Sequence, residues 1–313
     1  MLGKTAGGLY WMFRGLERAE HTARLIEAGF RIALTRSTDP ASDWRSVIIT
    51  SAQQSAYEAA YDAYTSQNVS NFLLRDNFNP SSVMSVIKAA RDNARLVRTA
   101  LTTEVWVAVN ETWMILTDLL KDPIPEAELP QALEVIRQQS ALVRGALYGT
   151  MLRNDVYNFC RLGTFIERAD STARIIDVKY HALLPSPAHV GSRLDNVQWE
   201  MVLRSVSAHR SFRHAVQDSS NAASIAQFLI LDPRFPRSMV FSAKRICENL
   251  ERLCEEYGGT SESYDKAKAF EARIVDRTIN SIFDEGLHEF VSARLTDIAE
   301  IGTGIEQEYR FIG

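Results

Sequence analysis

The stretch LERAEHTARLIEAGF at residues 16–30 returns 150 residues later as IERADSTARIIDVKY at residues 166–180. Around the first copy, Leu9, Met12, Leu16, Ala19, Ala23, Ile26 and Phe30 recur at intervals of three and four, which puts them on one side of a helix. Phe159, Leu162, Ile166, Ala169, Ala173, Ile176 and Tyr180 repeat that stripe, with the same two alanines at its centre. Small residues there let a neighbouring helix approach closely. Along the edge of the stripe run Glu17, Glu20, Arg24 and Glu27, and in the second copy Glu167, Asp170, Arg174 and Asp177. The two copies differ in kind where His21 stands against Ser171.

The correspondence extends outward in the same order. DWRSVI at 43–48 parallels QWEMVL at 198–203, matching Trp44 with Trp199. NFLLRDNFNPSSV at 71–83 parallels QFLILDPRFPRSM at 227–239, matching Phe72 with Phe228, Asp76 with Asp232 and Pro80 with Pro236. Asn93 then matches Asn249. A period this long is one duplication, not a solenoid repeat. The stretches at 37–44 and 184–199 read as loops, each leading to a helix near its tryptophan, and Pro80 and Pro236 suit a first helical turn. KDPIPEAELP at 121–130 is the clearest break. A helical pattern then runs from about Gln131 through Tyr148 into the second motif, and EEYGGTSES at 255–263 sets off a last helical region without an obvious partner in the first half. The expected architecture is all-α: a single domain over 1–313, a helical bundle built from an internal duplication with pseudo-two-fold related halves. The first repeat covers about 1–120, the second about 150–255, and extra C-terminal helices about 262–310.

Bulk composition narrows the function. The 313 residues carry a formal charge of −4 and 24% charged side chains, so no basic field gathers nucleic acid. No apolar run reaches the roughly 20 residues of a membrane span, and the N-terminal stretch lacks the apolar core of a signal peptide. Three cysteines, Cys160, Cys247 and Cys254, make no disulfide framework, so a reducing cytoplasm is the expected compartment. Neither they nor the six histidines have metal-ligand spacing, and no cofactor is implied.

The charged octapeptide admits more than one chemistry. Glu20 with Arg24, and Asp170 with Arg174, have the favourable acid-before-base i,i+4 order, but exposed pairs of that kind contribute only about 0.3–0.5 kcal/mol. So weak a contribution would hardly keep Glu17–Arg18 and Glu167–Arg168 alike while the surface around them drifted. Some of these charges are therefore expected to be buried or to line a pocket, where losing a partner costs about 3–5 kcal/mol. A closed structural network is one reading. A second brings Glu17, Glu20, Glu167 and Asp170 together with Arg18, Arg24, Arg168 and Arg174 across a pseudo-two-fold axis, where arginine forks would take a peptide or another anionic ligand. A third uses one of those four carboxylates as a catalytic base. A di-metal site is disfavoured, because His21 is unduplicated and the arginines compete for the acids. Arg91, Arg95 and Arg98 fall on one helical face with Asn93 turned aside, which on spacing alone is a solvated basic face. Asp76 and Asp232 read as turn or capping residues, and Trp44, Trp106, Trp113 and Trp199 as packing residues.

LYWMFRGLERAEHTARLIE, FLLRDNFNPSSVMSVIKAARDNARLVR, TEVWVAVN, GTMLRNDVYNFCRLGTFIERADSTARIID and FLILDPRFPRSM together resemble the bacterial alpha-E domain family, in order and over nearly the whole chain. The resemblance implies a duplicated all-helical domain. It also implies partners, because genes of this family typically neighbour ATP-grasp peptide-ligase-like proteins and transglutaminase-like peptidases, from which a part in making or modifying a peptide is inferred. Glu17, Arg18, Glu20, Arg24, Glu167, Arg168, Asp170 and Arg174 are the motif acids and arginines. Arg91, Asn93, Arg95 and Arg98 match the family's central basic motif, and Met151 and Arg153 the stretch entering the second repeat. Phe13 and Gly15 depart from the usual glycine and tyrosine, and Asp155, Val156 and Tyr157 from an acid–glycine–tryptophan run. Thr164 replaces an arginine that Arg14 keeps in the first half, which implies a weakened second half-site.

Overall fold

The structure is a computed structural model that describes residues 1–35, 40–182, 193–216 and 221–311. The chain forms helices α1 (Gly3–Thr35), α2 (Pro40–Thr50), α3 (Gln54–Glu58), α4 (Ser66–Leu74), α5 (Val83–Leu96), α6 (Thr103–Leu119), α7 (Leu129–Thr150), α8 (Asp155–Ala182), α9 (Arg193–Ser205), α10 (His209–Ala215), α11 (Ala222–Leu231), α12 (Met239–Tyr257), α13 (Glu262–Val275), α14 (Ile279–Glu285) and α15 (Leu287–Glu308). Among the described residues there is no strand.

The two motif helices, α1 and α8, pack against each other through the centre of the molecule. They run in the same direction. Gly163 lies against the backbone of Tyr10 and Arg14, Glu167 bonds Arg14 and Arg18, and Arg168 bonds Glu17, so the offset between touching residues stays near 150 along the contact. The approach is close because of residue size. Ala19, Ala23, Ala169 and Ala173 are fully buried, and a Cβ on Gly163 would stand 2.1 Å from the Tyr10 carbonyl oxygen. The rest of the stripe is buried as its periodicity predicts, from Leu9 to Ile26 on α1 and from Phe159 to Ile176 on α8. Phe30 is half-buried, and the side chain of Tyr180 lies outside the described residues.

Around this pair the other helices form two flanks. α5 and α7 lie on α1, with α6 on both of them; α12 and α15 lie on α8, with α13 on both of those. The C-terminal region thus has a counterpart. α7 buries Ala132, Leu133, Ile136, Val143 and Leu147, and α15 buries Phe290, Val291, Arg294, Ile301 and Ile305 in the same spacing. Helix α2 bridges α1 and α8, carrying buried Trp44, and Trp199 on α9 is buried as well.

Several local expectations change. Pro80 and Pro236 lie in the turns before α5 and α12, not in their first helical turns, because Ser82 and Ser238 stand between and cap the helices by accepting from the amides of Ser85 and Phe241. α7 does not run into the second motif. It stops at Thr150, Met151 is extended, and α8 starts at Asp155. The loop expected at 37–44 is helical from Pro40 and otherwise lies outside the described residues, as do residues 184–192 of the loop expected at 184–199, whose remainder is helical from Arg193. Among the described residues, no helix is long and apolar enough to cross a membrane.

Candidate functional site

The charged edges of α1 and α8 form two nests, one on each side of the helix pair. In the first, Glu17 accepts both Nε and Nη2 of Arg168 at 2.8 Å and Nη1 of Arg237 at 2.9 Å. Glu20 accepts Nη2 of Arg24 at 2.6 Å, Nη1 of Arg144 at 2.6 Å, and Nη2 of Arg237. Arg144 comes from α7 and Arg237 from the turn before α12, a turn held where Thr172 donates to the Arg237 carbonyl at 2.9 Å. Both carboxylates are almost fully buried, 3% and 1% exposed. Burial alone would favour their neutral forms. The guanidinium groups of Arg168 and Arg237 outweigh it and hold Glu17 far below the usual carboxylate range, and Arg237 and Arg144 bring Glu20 down to about 2. This nest is sealed by its own arginines.

In the second nest Glu167 accepts Nε and Nη2 of Arg18 at 2.6 and 2.9 Å, and Nε of Arg14 at 3.0 Å. Against burial, Arg18 and Arg14 bring it down to about 2. Among the described residues Asp170 has one partner, Arg174, at 2.7 and 3.0 Å. This nest opens into a cavity of about 370 Å³ walled by α1, α8, the residues that end α2 and follow it, and the C-terminal half of α15. Two polar atoms buried in its wall have no hydrogen-bond partner among the described residues: Nε2 of His21 and Oγ of Ser171. Burial, helped by Arg237, lowers the His21 imidazole to about 4, so it is neutral at pH 7. Glu306, also at the wall, is pushed up by burial. Arg18 and Arg174 each use Nε and Nη2 on their acid, leaving Nη1 without a bond among the described residues.

Three matched positions separate the open nest from the sealed one. After Pro236 comes Arg237, which reaches Glu17 and Glu20; after Pro80 comes Ser81, at the cavity wall. In the shared register of α7 and α15, Arg144 falls opposite Gly302. Eight residues beyond Trp199, Ser207 accepts from Nη1 of Arg24; eight beyond Trp44 stands Ala52, which has no hydroxyl. Ser207 and Ala52 share a left-handed backbone, φ 56° and 55°, unusual for residues with a side chain. Conversely, Arg14 stands in the open nest, and Thr164 turns its hydroxyl to the Cys160 carbonyl.

The four motif carboxylates therefore do not meet in one centre. Glu17 and Glu20 share the sealed nest, Glu167 and Asp170 the open one, and the pairs Glu17–Arg168 and Arg18–Glu167 cross between the helices. The central basic motif lies elsewhere. α5 ends at Leu96, so Arg98 falls in a separate 3₁₀ turn and the three arginines do not share one helical face. Arg91 donates to Asn110 at 3.0 Å and lies over Trp113; Arg98 lies over Trp106; Arg95 is exposed; Asn93 faces Gly8 of α1. Arg153 stacks on Tyr157 and donates to the Tyr148 carbonyl. Asp76 accepts from the Tyr61 hydroxyl, and Asp232 ends α11 and accepts from the Arg234 amide. Arg144, Arg237 and Glu306 were not legible as site residues, although the exchange of Ser81 for Arg237 inside an otherwise matched stretch was a signal for one of them. Among the described residues, no three His, Cys, Asp or Glu side chains are grouped so as to hold a metal ion.

One family model matches: Alpha-E, described as a predicted alpha-helical domain with a conserved ER motif, over residues 1–309. The Glu-Arg dipeptides 17–18 and 167–168 are the ones that exchange partners between α1 and α8. No curated protein and no solved structure matches the chain.

Proposed function

This chain belongs to the Alpha-E family, and from that premise we propose that it is the helical, ligand-binding component of a peptide ligation or modification system, taking an anionic peptide group in its open nest. One observation carries the reading: of two matched acid–arginine nests, one is closed by its own side chains and the other opens into a cavity with unpartnered His21 and Ser171 atoms. Buried polar atoms without partners are costly, about 1–3 kcal/mol each, and a bound ligand would relieve that cost. The free Nη1 edges of Arg18 and Arg174 suit a carboxylate. The part in peptide chemistry and the ATP-grasp-like and transglutaminase-like partners rest on the resemblance and its gene company, and the cytoplasmic setting on the sparse cysteines.

We also infer an internal duplication with pseudo-two-fold related halves. The parallel α1–α8 pair, its crossed ion pairs, the common burial register of α7 and α15, and the matched left-handed residues Ala52 and Ser207 support it. An independent enzyme using Glu17 or Glu167 draws no support from the geometry, because carboxylates held far below their usual range by two arginines are poor proton acceptors near neutral pH. The test is calorimetric titration with short acidic and neutral peptides, followed by pull-down with the neighbouring ATP-grasp-like ligase. Saturable binding that Arg174→Ala weakens, and a complex with the ligase, are the expected results. A protein that binds no peptide and leaves ligase activity unchanged refutes the proposal.

A further inference from the structure

The sealed nest is a template for what the open one lacks. Where the sealed side places Arg144, Arg237 and the Ser207 hydroxyl, the open side has Gly302, Ser81 and Ala52. The missing groups are the two guanidinium cations that reach Glu20 from outside its helix and one oxygen that accepts from an arginine Nη1; Arg14, present on the open side alone, reaches Glu167. The effect on the acids is direct. Among the described residues, Glu20 receives three arginines, while its counterpart Asp170 receives only Arg174. Nor is Gly302 forced by crowding: a Cβ there would meet nothing closer than the Tyr10 hydroxyl, at 3.4 Å. The space is available to a side chain, and the chain puts none there.

Resting on the binding role proposed above, we infer that the open nest receives a guanidinium-bearing zwitterion: an arginine, free or at the end of a peptide. Its guanidinium faces Asp170, as Arg144 and Arg237 face Glu20. Its carboxylate accepts from the free Nη1 edge of Arg174, as Ser207 accepts from Arg24. The lining agrees with a zwitterion, since Arg14, Arg18 and Arg174 are balanced by Glu167, Asp170 and Glu306. The cavity sits at the small end of the range for ligand pockets, about 300–1,000 Å³, as an amino-acid-sized ligand requires.

The experiment is titration calorimetry with free L-arginine, glycyl-arginine and glycyl-citrulline, which keeps the shape of arginine and removes its charge. The arginine ligands should bind about tenfold or more tightly than the citrulline peptide, the worth of one charged hydrogen bond. Asp170→Asn should abolish that preference. Gly302→Arg, which supplies the guanidinium from within, should raise the melting temperature of the free protein and eliminate arginine binding; Ser81→Arg gives the same readout should the first variant not fold. Comparing free arginine with the dipeptide identifies the source. Equal binding of the arginine and citrulline peptides would overturn the guanidinium assignment and leave peptide binding standing. Absence of binding by every one of these probes would overturn the arginine assignment, and titration with the acidic peptides named above would then decide the binding role by itself.

Discussion

At the scale of single residues, Glu17 and Glu167 occupy matched positions in different surroundings. Glu17 neutralises Arg168 and Arg237 in a dry nest, whereas Arg18, which holds Glu167, keeps about a third of its side chain exposed to the cavity (31%). Glu17→Gln should therefore destabilise by about 3–5 kcal/mol, because it strands buried guanidinium groups, and Glu167→Gln by about 2 kcal/mol, since water can reach Arg18. Urea denaturation at pH 7 measures both. His21 adds a pH dependence. Its folded-state value, about 4, lies below the value near 6.5 of an unfolded histidine, so the unfolded chain binds the extra proton between them. Its contribution is complete above pH 6.5 and is lost as pH falls toward 4, about 3 kcal/mol in all. The depressed acids Glu20 and Glu167 follow at lower pH, between about 4.3 and 2. His21→Gln should flatten the decline in stability between pH 6.5 and 5. The burial of these charges could be inferred from the repeated octapeptide. The identity of their partners could not, because Arg144 and Arg237 lie more than 120 and more than 215 residues away from Glu20 and look like ordinary surface arginines in their own helix and turn.

At the scale of elements, the α1–α8 contact depends on Gly163. An alanine there would drive its Cβ into the Tyr10 carbonyl, and the helices cannot separate without pulling Glu17 from Arg168. Gly163→Ala should cost about 3 kcal/mol, the upper range for an overpacked core, and lower the melting temperature accordingly; Gly145→Ala, exposed within α7 and with nothing within 4 Å of the new Cβ, is the clash-free control and should stabilise by about 0.5–1 kcal/mol. The helices themselves were legible because the apolar period of α1, α8 and α7 is regular and proline falls between elements or in their first turns. α15 is equally periodic, yet its relation to α7 was not legible. The pattern match there is one of buried positions, with Phe290 against Ala132 and Arg294 against Ile136, and little residue identity remains. The stop at Thr150 was missed for a different reason: the 151–154 link contains neither glycine nor proline.

At the scale of the molecule, neither flank is complete alone. One continuous core joins Leu9 on α1 to Phe159 on α8 and Ile305 on α15. A fragment of residues 1–150 would expose the Ala19–Ala23 seam and leave Glu17 without Arg168 and Arg237. That fragment should show no cooperative thermal transition by circular dichroism, while the whole chain unfolds in one. The crossed pairs also set a schedule for synthesis. Glu17 and Glu20 are made well before their last partner, Arg237, and at about 5–20 residues per second that wait is on the order of ten seconds or more. Through that interval Glu20 has Arg24 of its own helix, while Glu17 waits for arginines from α7, α8 and the turn before α12. The acidic edge of α1 therefore closes late, and until it does nascent α1 is a surface that chaperones can hold.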